Sequence, residues 1–351
     1  MSSLDARGLA AARYAKSLFN GRESPNAALA YAESQDWMHT PHVTSVLRAA
    51  VSAQTTINSP ALLGEVGTDF SQYVRPLTLL GKITGFRRVP MRVRLLTGSG
   101  GSTSYFVGEA NPKPISRAAF ANLQLDPLKT AGIVVVTQEL LRFSTPQADL
   151  TLKDDLAAAA IESIDRAFID PLNSGIANVK PASVTNGVTP LVSTGSTIAQ
   201  IDSDLKAMVA QLIAAGSTLE SAYWIVSPGT AVSLSLKRGT GGNLAYPGVN
   251  ARGGELLGLP VATSAHMSGD SSGAFIALLD ASAVALADED EAQISVMTQG
   301  SLQLADNPSI DASSVQVSLW QTNTAAIRVE RYVDWRLRRQ GFVSVLSDVS
   351  Y

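Results

Sequence analysis

The stretch AGIVVVTQELL (Ala131–Leu141) decides how this chain is built. Its apolar run, Ile133–Val136, predicts a short buried strand, and Thr137 predicts the start of a helix. The residues before it form a predicted basic hairpin, Phe86–Glu109, followed by the proline-punctuated return NPKP at 111–114. A long exposed hairpin that projects from a compact body is suited to contacts between subunits. The arrangement therefore indicates a structural protein that assembles with copies of itself.

Composition narrows the class of protein. The 351 residues suffice for about two domains, and 45% of them are apolar, so a sizeable core can form. The balance of 27 basic and 30 acidic residues is not that of a general nucleic-acid-binding protein. The absence of cysteine excludes disulfide scaffolds, thiolate zinc sites and cysteine nucleophiles. The longest apolar stretch, Ala274–Ala287, is too short to span a bilayer, and we expect a soluble protein.

The first 60 residues are predicted to form an N-terminal arm. The pairs Ser24-Pro25 and Thr40-Pro41 are typical of helix starts, with the proline in the first turn. The helix after Pro41 carries only a narrow apolar stripe, and the first 22 residues are basic. A segment this small and this thinly apolar does not fold alone, so we expect it to require another surface.

The hairpin is predicted to have one apolar face and one basic face, and both are suited to contacts with another protein surface. Apolar and basic residues alternate between Arg88 and Leu95, and Pro90 is compatible only with an edge strand. Gly98–Ser102 is predicted to be the turn and Tyr105–Val107 the returning strand. An ordinary surface hairpin is the alternative. We favour an interaction loop, because no following helix pattern covers the apolar face.

The rest of the chain alternates helices and strands. Thr145-Pro146 introduces a helix of roughly 20 residues, about 30 Å long, with apolar residues at i, i+4 spacing. A second helix opens at Thr197, with Gln200 three residues further on. Strands are predicted at Tyr223–Val226, Gly258–Ser264 and Phe275–Leu279, and in the C-terminal stretch Val315–Leu346. This order predicts a long spine helix together with a compact α/β-like layer.

Histidine and serine chemistry is not supported. His39 and His42 flank a helix start without a third metal ligand nearby, and we interpret them as solvated. His266 has no strained Gly-x-Ser-x-Gly turn as nucleophile partner. The glycine-rich stretches 98–102 and 239–243 lack the Lys-Ser/Thr ending of a phosphate loop. We predict no catalytic residue, no cofactor and no metal site.

Acidic residues give no stronger signal. The run Asp288–Glu291 does not have the spacing of a calcium loop, and we predict a solvated loop. Carboxylates on the spine helix have no pocket in view. An enzyme with a perturbed His266 in a pocket stays an alternative, and so does a nucleic-acid-binding module, which would need steep salt-dependent DNA affinity.

Taken in order, several segments resemble the HK97-fold major capsid protein family of tailed bacteriophages, over about residues 50–350. The segment Asp170-Pro171-Leu172 departs from the glycine-rich turn that family members often have after the spine helix. The resemblance is carried by Tyr105–Glu109 with Pro112 and Pro114, Phe120–Leu141, Trp224–Thr230, Gly254–Ser264, Ser318–Glu330 and Val51–Leu63.

The resemblance implies an α+β, HK97-like fold with four parts. These are an N-terminal arm at 1–60, an E-loop at 86–126, a peripheral domain at 61–85, 127–195 and 316–351 with its spine helix at about 146–169, and an axial domain at 196–315. Some family members cross-link an E-loop lysine to an asparagine. The tip here, Leu95–Ser104, has no lysine, so we expect no such bond.

The implied function is that of a major capsid protein. It would form hexamers and pentamers of an icosahedral phage head, with no catalysis, and would contact packaged double-stranded DNA non-specifically. Portal, scaffold and decoration proteins are further implied partners, and a membrane is not. The implied location is the virion, with assembly in the host bacterial cytoplasm. An encapsulin-type nanocompartment shell is the alternative. The predicted assembly residues are Arg88, Arg92, Arg94, Tyr105, Phe106 and Glu109.

Overall fold

The computed structural model describes residues 9–21, 24–35, 37, 41–52, 68–98, 106, 120–139, 146–239, 241–267, 274–303 and 316–351. They belong to two compact units. The first unit comprises 1–82, 129–164 and 289–332, and the second comprises 83–128, 165–288 and 333–351.

The described helices are α1 (Leu9–Asn20), α2 (Pro25–Ser34), α3 (Pro41–Ser52), α4 (68–74), α5 (Leu79–Lys82), α6 (Pro146–Ile169), α7 (Ile198–Ala214) and α8 (Pro228–Leu236). The described strands are β1 (Arg87–Arg88), β2 (Arg94–Gly98), β3 (Phe120–Gln124), β4 (Lys129–Thr137), β5 (Leu191–Val192), β6 (Ala222–Val226), β7 (Val249–Asn250), β8 (Gly253–Leu256), β9 (Leu259–Thr263), β10 (Ala274–Asp280), β11 (Val284–Met297), β12 (Ser301–Gln303), β13 (Gln316–Ser318), β14 (Thr324–Leu337) and β15 (Val343–Val349).

The three N-terminal helices pack within the first unit. Their buried residues, including Phe19 and Leu47, join one apolar cluster with Phe70 of α4 and Leu156 of α6. The surface that the predicted arm requires is thus supplied by the chain itself. The basic side chains of Arg13 and Lys16 in α1 are buried as well. The Arg13 guanidinium lies 5.2 Å from the centre of the Trp37 ring.

The long helix α6 confirms the helix predicted from its i, i+4 pattern. It spans 24 residues, about 36 Å at the rise of an α-helix. Leu156 and Ile164 are buried along it. On its first half, the Tyr73 hydroxyl donates to the Asp154 carboxylate at 2.9 Å, and the Lys153 ammonium lies 4.2 Å from the Tyr73 ring centre. These contacts tie the helix to α4 in the first unit.

The strand predicted from the opening stretch exists, but it is not buried. β4 pairs antiparallel with β14 from Lys129↔Tyr332 to Thr137↔Thr324. Ile133 nevertheless is 51% exposed, and burial alternates along the strand. The reason is that successive side chains of a strand point to opposite faces: Val134 and Val136 pack against the apolar cluster of the first unit, whereas Ile133 points to the other face. β4 is also the last strand in the sheet order β1-β11-β14-β4, and composition alone reveals neither fact.

A small cavity of about 30 Å³ lies in the first unit beside Gly132 of β4 and Leu156 of α6. A methyl group added at Gly132 would have no heavy atom within 4 Å. We expect Gly132→Ala to raise the free energy of unfolding by about 0.5–1 kcal/mol, because alanine orders the strand and fills space without strain. Thermal unfolding of the purified protein measures the change.

Gly85→Ala in the second unit is the matched control with the opposite sign. Gly85 has a φ of +98°, and an added Cβ would lie 2.8 Å from the Cβ of Ser221. Backbone strain and overlap should lower stability by about 1 kcal/mol or more. Equal shifts in the same direction for the two variants would contradict the local geometry described.

The second unit is built on a seven-stranded sheet with the order β5-β15-β10-β6-β9-β8-β7. The predicted strands at 223–226, 258–264 and 275–279 are confirmed as β6, β9 and β10. α7 starts with the Thr197–Gln200 capping box, which the sequence predicted. Trp224 is fully buried in the core of this unit, and its indole N–H donates to the carbonyl of Leu256 at 2.9 Å.

After β10, the structure differs from the expectations drawn from the sequence. The acidic run Asp288–Glu291 is part of the long strand β11, so the predicted loop was wrong. β15, which belongs to the segment 316–351 predicted for the peripheral domain, pairs with β10 in the seven-stranded sheet. The four predicted domain boundaries remain predictions.

Candidate assembly interface

A two-stranded antiparallel ribbon leaves the second unit. It consists of β2 and β3, paired from Arg94↔Gln124 to Gly98↔Phe120. The partner of β2 is thus residues 120–124, and the predicted return at Tyr105–Val107 lies outside the described residues except for Phe106. Gly98 is a paired strand residue and does not begin the turn. Apart from Phe106, the connection at 99–119 lies outside the described residues.

The entry to the ribbon turns sharply. β1 pairs in parallel with β11 (Arg87↔Ala285), and Met91 and Arg92 then form a turn in which Arg92 has a φ of 63°. The predicted alternation of apolar and basic faces breaks at this point. Val89 is buried, whereas Val93 is 44% exposed. A left-handed residue reverses the side-chain alternation, and arginine gives no sequence signal for it.

We define the root of the ribbon as residues 87–94 and 124–128. A small apolar cluster packs in this root. Leu125 is fully buried against Val89 and two alanines of β11. Two backbone bonds support it: the amide of Arg92 donates to the carbonyl of Leu125 at 2.8 Å, and that of Val89 to the carbonyl of Leu286 at 2.9 Å. The root is thus anchored on both of its chain segments.

A buried carboxylate forms the second anchor of the root. Asp334 of β14 is 0% exposed, and its Oδ2 accepts the backbone N–H of Asp126 at 2.8 Å. Its Oδ1 has no hydrogen-bond partner within the described residues. Burial raises the pKa of Asp334 to about 6, against the smaller opposing effects of the Asp126 amide and the Arg336 charge. The Arg336 guanidinium contacts the Asp126 carboxylate at 3.4 Å.

The predicted arginines all lie at this root. Arg88, Arg92 and Arg94 are exposed, and none forms an ion pair with another described residue. Phe106 is fully exposed, while Tyr105 and Glu109 lie outside the described residues. The structure therefore brings together three of the six predicted residues. Exposed guanidiniums of this kind are free to form bidentate bonds with carboxylates or phosphates.

A complementary acidic surface occurs on α6 of the first unit. Asp155 and Glu162 are exposed, seven residues apart, and neither is bonded to another described residue. Two helical turns separate them, so both side chains lie on one face of the helix. The sequence alone shows carboxylates on this helix but gives them no role.

Sequence reasoning missed the groups that hold the root. Leu125 and Asp126 lie in the short segment between β3 and β4, where no pattern marks them. Asp334 had one available signal, because it is a lone acidic residue between buried Val333 and Trp335. A carboxylate in such a position requires a donor, and here the donor is a backbone amide 208 residues away in sequence.

The structure provides no histidine-centred site among the described residues. The Ser264 hydroxyl donates to Asp165 at 2.7 Å and accepts the backbone N–H of His266 at 3.3 Å. Serine is thus bonded to the carboxylate and not to the imidazole. Within the described ranges, no three His, Cys, Asp or Glu residues are grouped as metal ligands would be. The helices in those ranges include none with the length and apolar content needed to cross a membrane.

Comparison with known proteins assigns the family. The model of the phage capsid family matches residues 86–347, which include the ribbon and all but the last two residues of the seven-stranded sheet. The chain belongs to the phage capsid family. It is also 39% identical over 362 residues to the capsid polyprotein of Pseudomonas phage PAJU2, with 98% of this chain aligned. The chain spans about half of that relative, because the alignment covers 54% of it.

Solved structures show the same fold at low sequence identity. A chain from Mycobacterium phage Ogopogo aligns with a TM-score of 0.56 and 19% identity, over 78% of this chain and 92% of that one. A chain from Gordonia phage Cozz gives 0.54 and 16%, over 76% and 85%. The "Capsid of native GTA particle computed with C5 symmetry" gives 0.53 and 15%, over 79% and 90%. The predicted α+β, HK97-like capsid fold is confirmed.

Proposed function

We propose that this chain is a major capsid protein that assembles into hexamers and pentamers of an icosahedral phage head enclosing double-stranded DNA. The family match and the capsid fold support the proposal. The observation that carries it is the ribbon: its root is anchored by Leu125 and Asp334, and its exposed arginines form no ion pair with any residue that the structure describes. Exposed arginines that have no ion pair in the described part of their own chain are available to a second copy.

The ribbon's partner in this proposal is the acidic face of α6 on a second copy. Arg88, Arg92 and Arg94 would face Asp155 and Glu162 of the neighbouring subunit, with Tyr105, Phe106 and Glu109 completing the contact. Two different surfaces of one chain meet in such a head-to-tail interface, which closes into a ring when the rotation fits five or six copies. Opposite charges fix the register and speed the encounter.

Further expectations follow from the shell function. The chain acts without a catalytic residue, a cofactor or a metal ion. Portal, scaffold and decoration proteins are its other protein partners, and packaged DNA contacts the shell non-specifically. The chain resides in the virion after assembly in the host bacterial cytoplasm.

An encapsulin-type shell is the second candidate, because it shares the fold. The similarity to a phage capsid polyprotein along 98% of the chain favours the phage head. A hydrolase is disfavoured by the Ser264–Asp165 bond, because it engages a serine two residues from His266 with a carboxylate and not with the imidazole.

A charge exchange tests the proposed interface. The double variant Arg92→Glu/Arg94→Glu should lower the yield of shells or rings about tenfold or more, because like charges then face each other at every interface. Negative-stain microscopy and size exclusion of the full chain measure the yield. Arg252→Glu is the matched control, since Arg252 is exposed and has no ion pair with a described residue.

The reciprocal exchange identifies the partner surface. Adding Asp155→Arg/Glu162→Arg to the first double variant should restore assembly, because the pairs are re-formed with reversed polarity. If the first double variant assembles as well as wild type, the arginines are not part of the interface. If assembly is lost and the reciprocal change does not restore it, the α6 face is not their partner.

A further inference from the structure

A second group of arginines converges near the ribbon root on separate segments of the second unit. Arg87 lies on β1, while Arg338 and Arg339 follow β14. The backbone amide of Arg338 donates to the carbonyl of Ala283 at 2.7 Å, and its Nη1 donates to the carbonyl of Ser282 at 3.3 Å. These bonds bring Arg338 beside β1, which pairs with β11 two residues further on. We call Arg87, Arg338 and Arg339 the arginine cluster.

The cluster places three positive charges near one another, and none of them is paired with a carboxylate among the described residues. Burial, together with the charges of Arg87 and Arg339, lowers the pKa of Arg338. None of the three forms an ion pair with a described residue, and the Nε of Arg338 is buried without a hydrogen-bond partner in the same part of the chain. The Arg339 guanidinium lies 5.6 Å from the Phe342 ring centre. Like charges placed side by side repel one another, and a bound anion would relieve that repulsion.

The cluster is distinct from the proposed subunit interface. Arg87 and Arg88 are consecutive in an extended strand, so their side chains leave the sheet on opposite faces. Arg87 belongs to the cluster and Arg88 to the predicted assembly residues. Two neighbouring arginines thus serve two surfaces.

The density of charge indicates which anion fits. Asp155 and Glu162, the acidic pair on α6, are seven residues apart, a rise of about 10 Å along the helix. Duplex DNA carries a phosphate charge every ~1.7 Å of its axis. A cluster of adjacent guanidiniums matches closely spaced phosphates better than sparse carboxylates. The chain as a whole has a net charge of −3, so contact with a polyanion requires a local positive site of this kind.

We propose that Arg87, Arg338 and Arg339 form a phosphate-binding site for the backbone of double-stranded DNA. The inference rests on the proposed function, because an enclosed genome supplies the polyanion. Guanidiniums bind the phosphate oxygens, and the contact carries no base specificity. In this proposal, these three arginines are the residues through which the shell contacts the packaged DNA.

Fluorescence anisotropy of a 30-bp duplex with the full chain before assembly tests this site. Wild type should bind with an affinity that falls as salt rises. Arg87→Gln/Arg339→Gln, which leaves the bonds of Arg338 intact, should weaken binding about tenfold at 0.1 M salt and reduce the slope of log K against log salt by about 2. Lys206→Gln/Arg252→Gln removes two exposed charges elsewhere and should leave both values near wild type.

Microscopy of the same preparations separates the two proposals. Shells formed by both double variants, with DNA binding lost in the first alone, would support the site. DNA affinity equal to wild type in Arg87→Gln/Arg339→Gln would overturn it, and if shells were also lost, the cluster would instead hold a second subunit. Failure of the wild-type chain to assemble would count against the capsid function and not against the phosphate site.

Discussion

Replacing Asp280 with alanine is expected to lower the free energy of unfolding by about 3–5 kcal/mol. Asp280 ends β10 at 2% exposure. Its carboxylate accepts hydrogen bonds from the hydroxyls of Ser217, Ser221 and Ser282 and from the backbone N–H of Ser282. Alanine would remove the acceptor for all four donors in a buried position. Urea unfolding followed by circular dichroism measures the loss.

The matched control is Glu220→Ala, an exposed carboxylate without a partner among the described residues. It should change stability by less than about 0.5 kcal/mol. A loss below about 1 kcal/mol for Asp280→Ala would show that the serine hydroxyls find other acceptors. Burial alone would raise the pKa of Asp280, but the serine hydrogen bonds together lower it. Its stabilisation is therefore present above the unfolded pKa of about 4 and is lost as the pH falls below it.

Replacing Asp334 with asparagine is expected to stabilise the protein at neutral pH, although the residue is fully buried. Its pKa of about 6 lies about 2 units above that of an unfolded aspartate. The folded state therefore favours the protonated form, and ionisation costs about 3 kcal/mol. The contribution is fully present below pH ~4, declines as pH rises to about 6 and is absent above that. Asparagine keeps an oxygen acceptor for the Asp126 amide without the charge.

The difference in unfolding free energy between Asp334→Asn and wild type isolates this group, because all other titrations cancel. From pH 4 to pH 6 the difference should move in favour of the variant by about 3 kcal/mol and then remain constant. Glu220→Gln is the control, since Glu220 is exposed and has no partner among the described residues. A difference that does not vary with pH would show that Asp334 is not the buried, proton-binding anchor of the root.

Local signals in the sequence sufficed for the elements with regular periods. The i, i+4 pattern located α6, and the Thr197–Gln200 box located the start of α7. They failed where the outcome depends on distant partners. Ile133 is half-exposed because it lies on the face of β4 opposite to Val134 and Val136, and the partner of β2 is set by pairing across residues 99–119. Neither the exposure of Ile133 nor the partner of β2 can be predicted from the sequence pattern around it.

The sequence predicted the charged residues of the candidate site but not the buried residues that hold them in place. The arginines at 88, 92 and 94 are visible as a cluster in the sequence, and the structure places them all at the ribbon root. Leu125 and Asp334 become visible only when segments some 200 residues apart meet. The arginine cluster likewise requires β1 and the end of β14 to be brought together. Long-range packing, rather than composition, defines these groups.

Cryo-electron microscopy of the full chain expressed alone tests the central claim most directly. We predict closed icosahedral shells, or rings of five and six subunits, in which the ribbon of one subunit lies on the α6 face of the next. A homogeneous monomer or dimer that stays unassembled even when co-expressed with its neighbouring genes would contradict the capsid function.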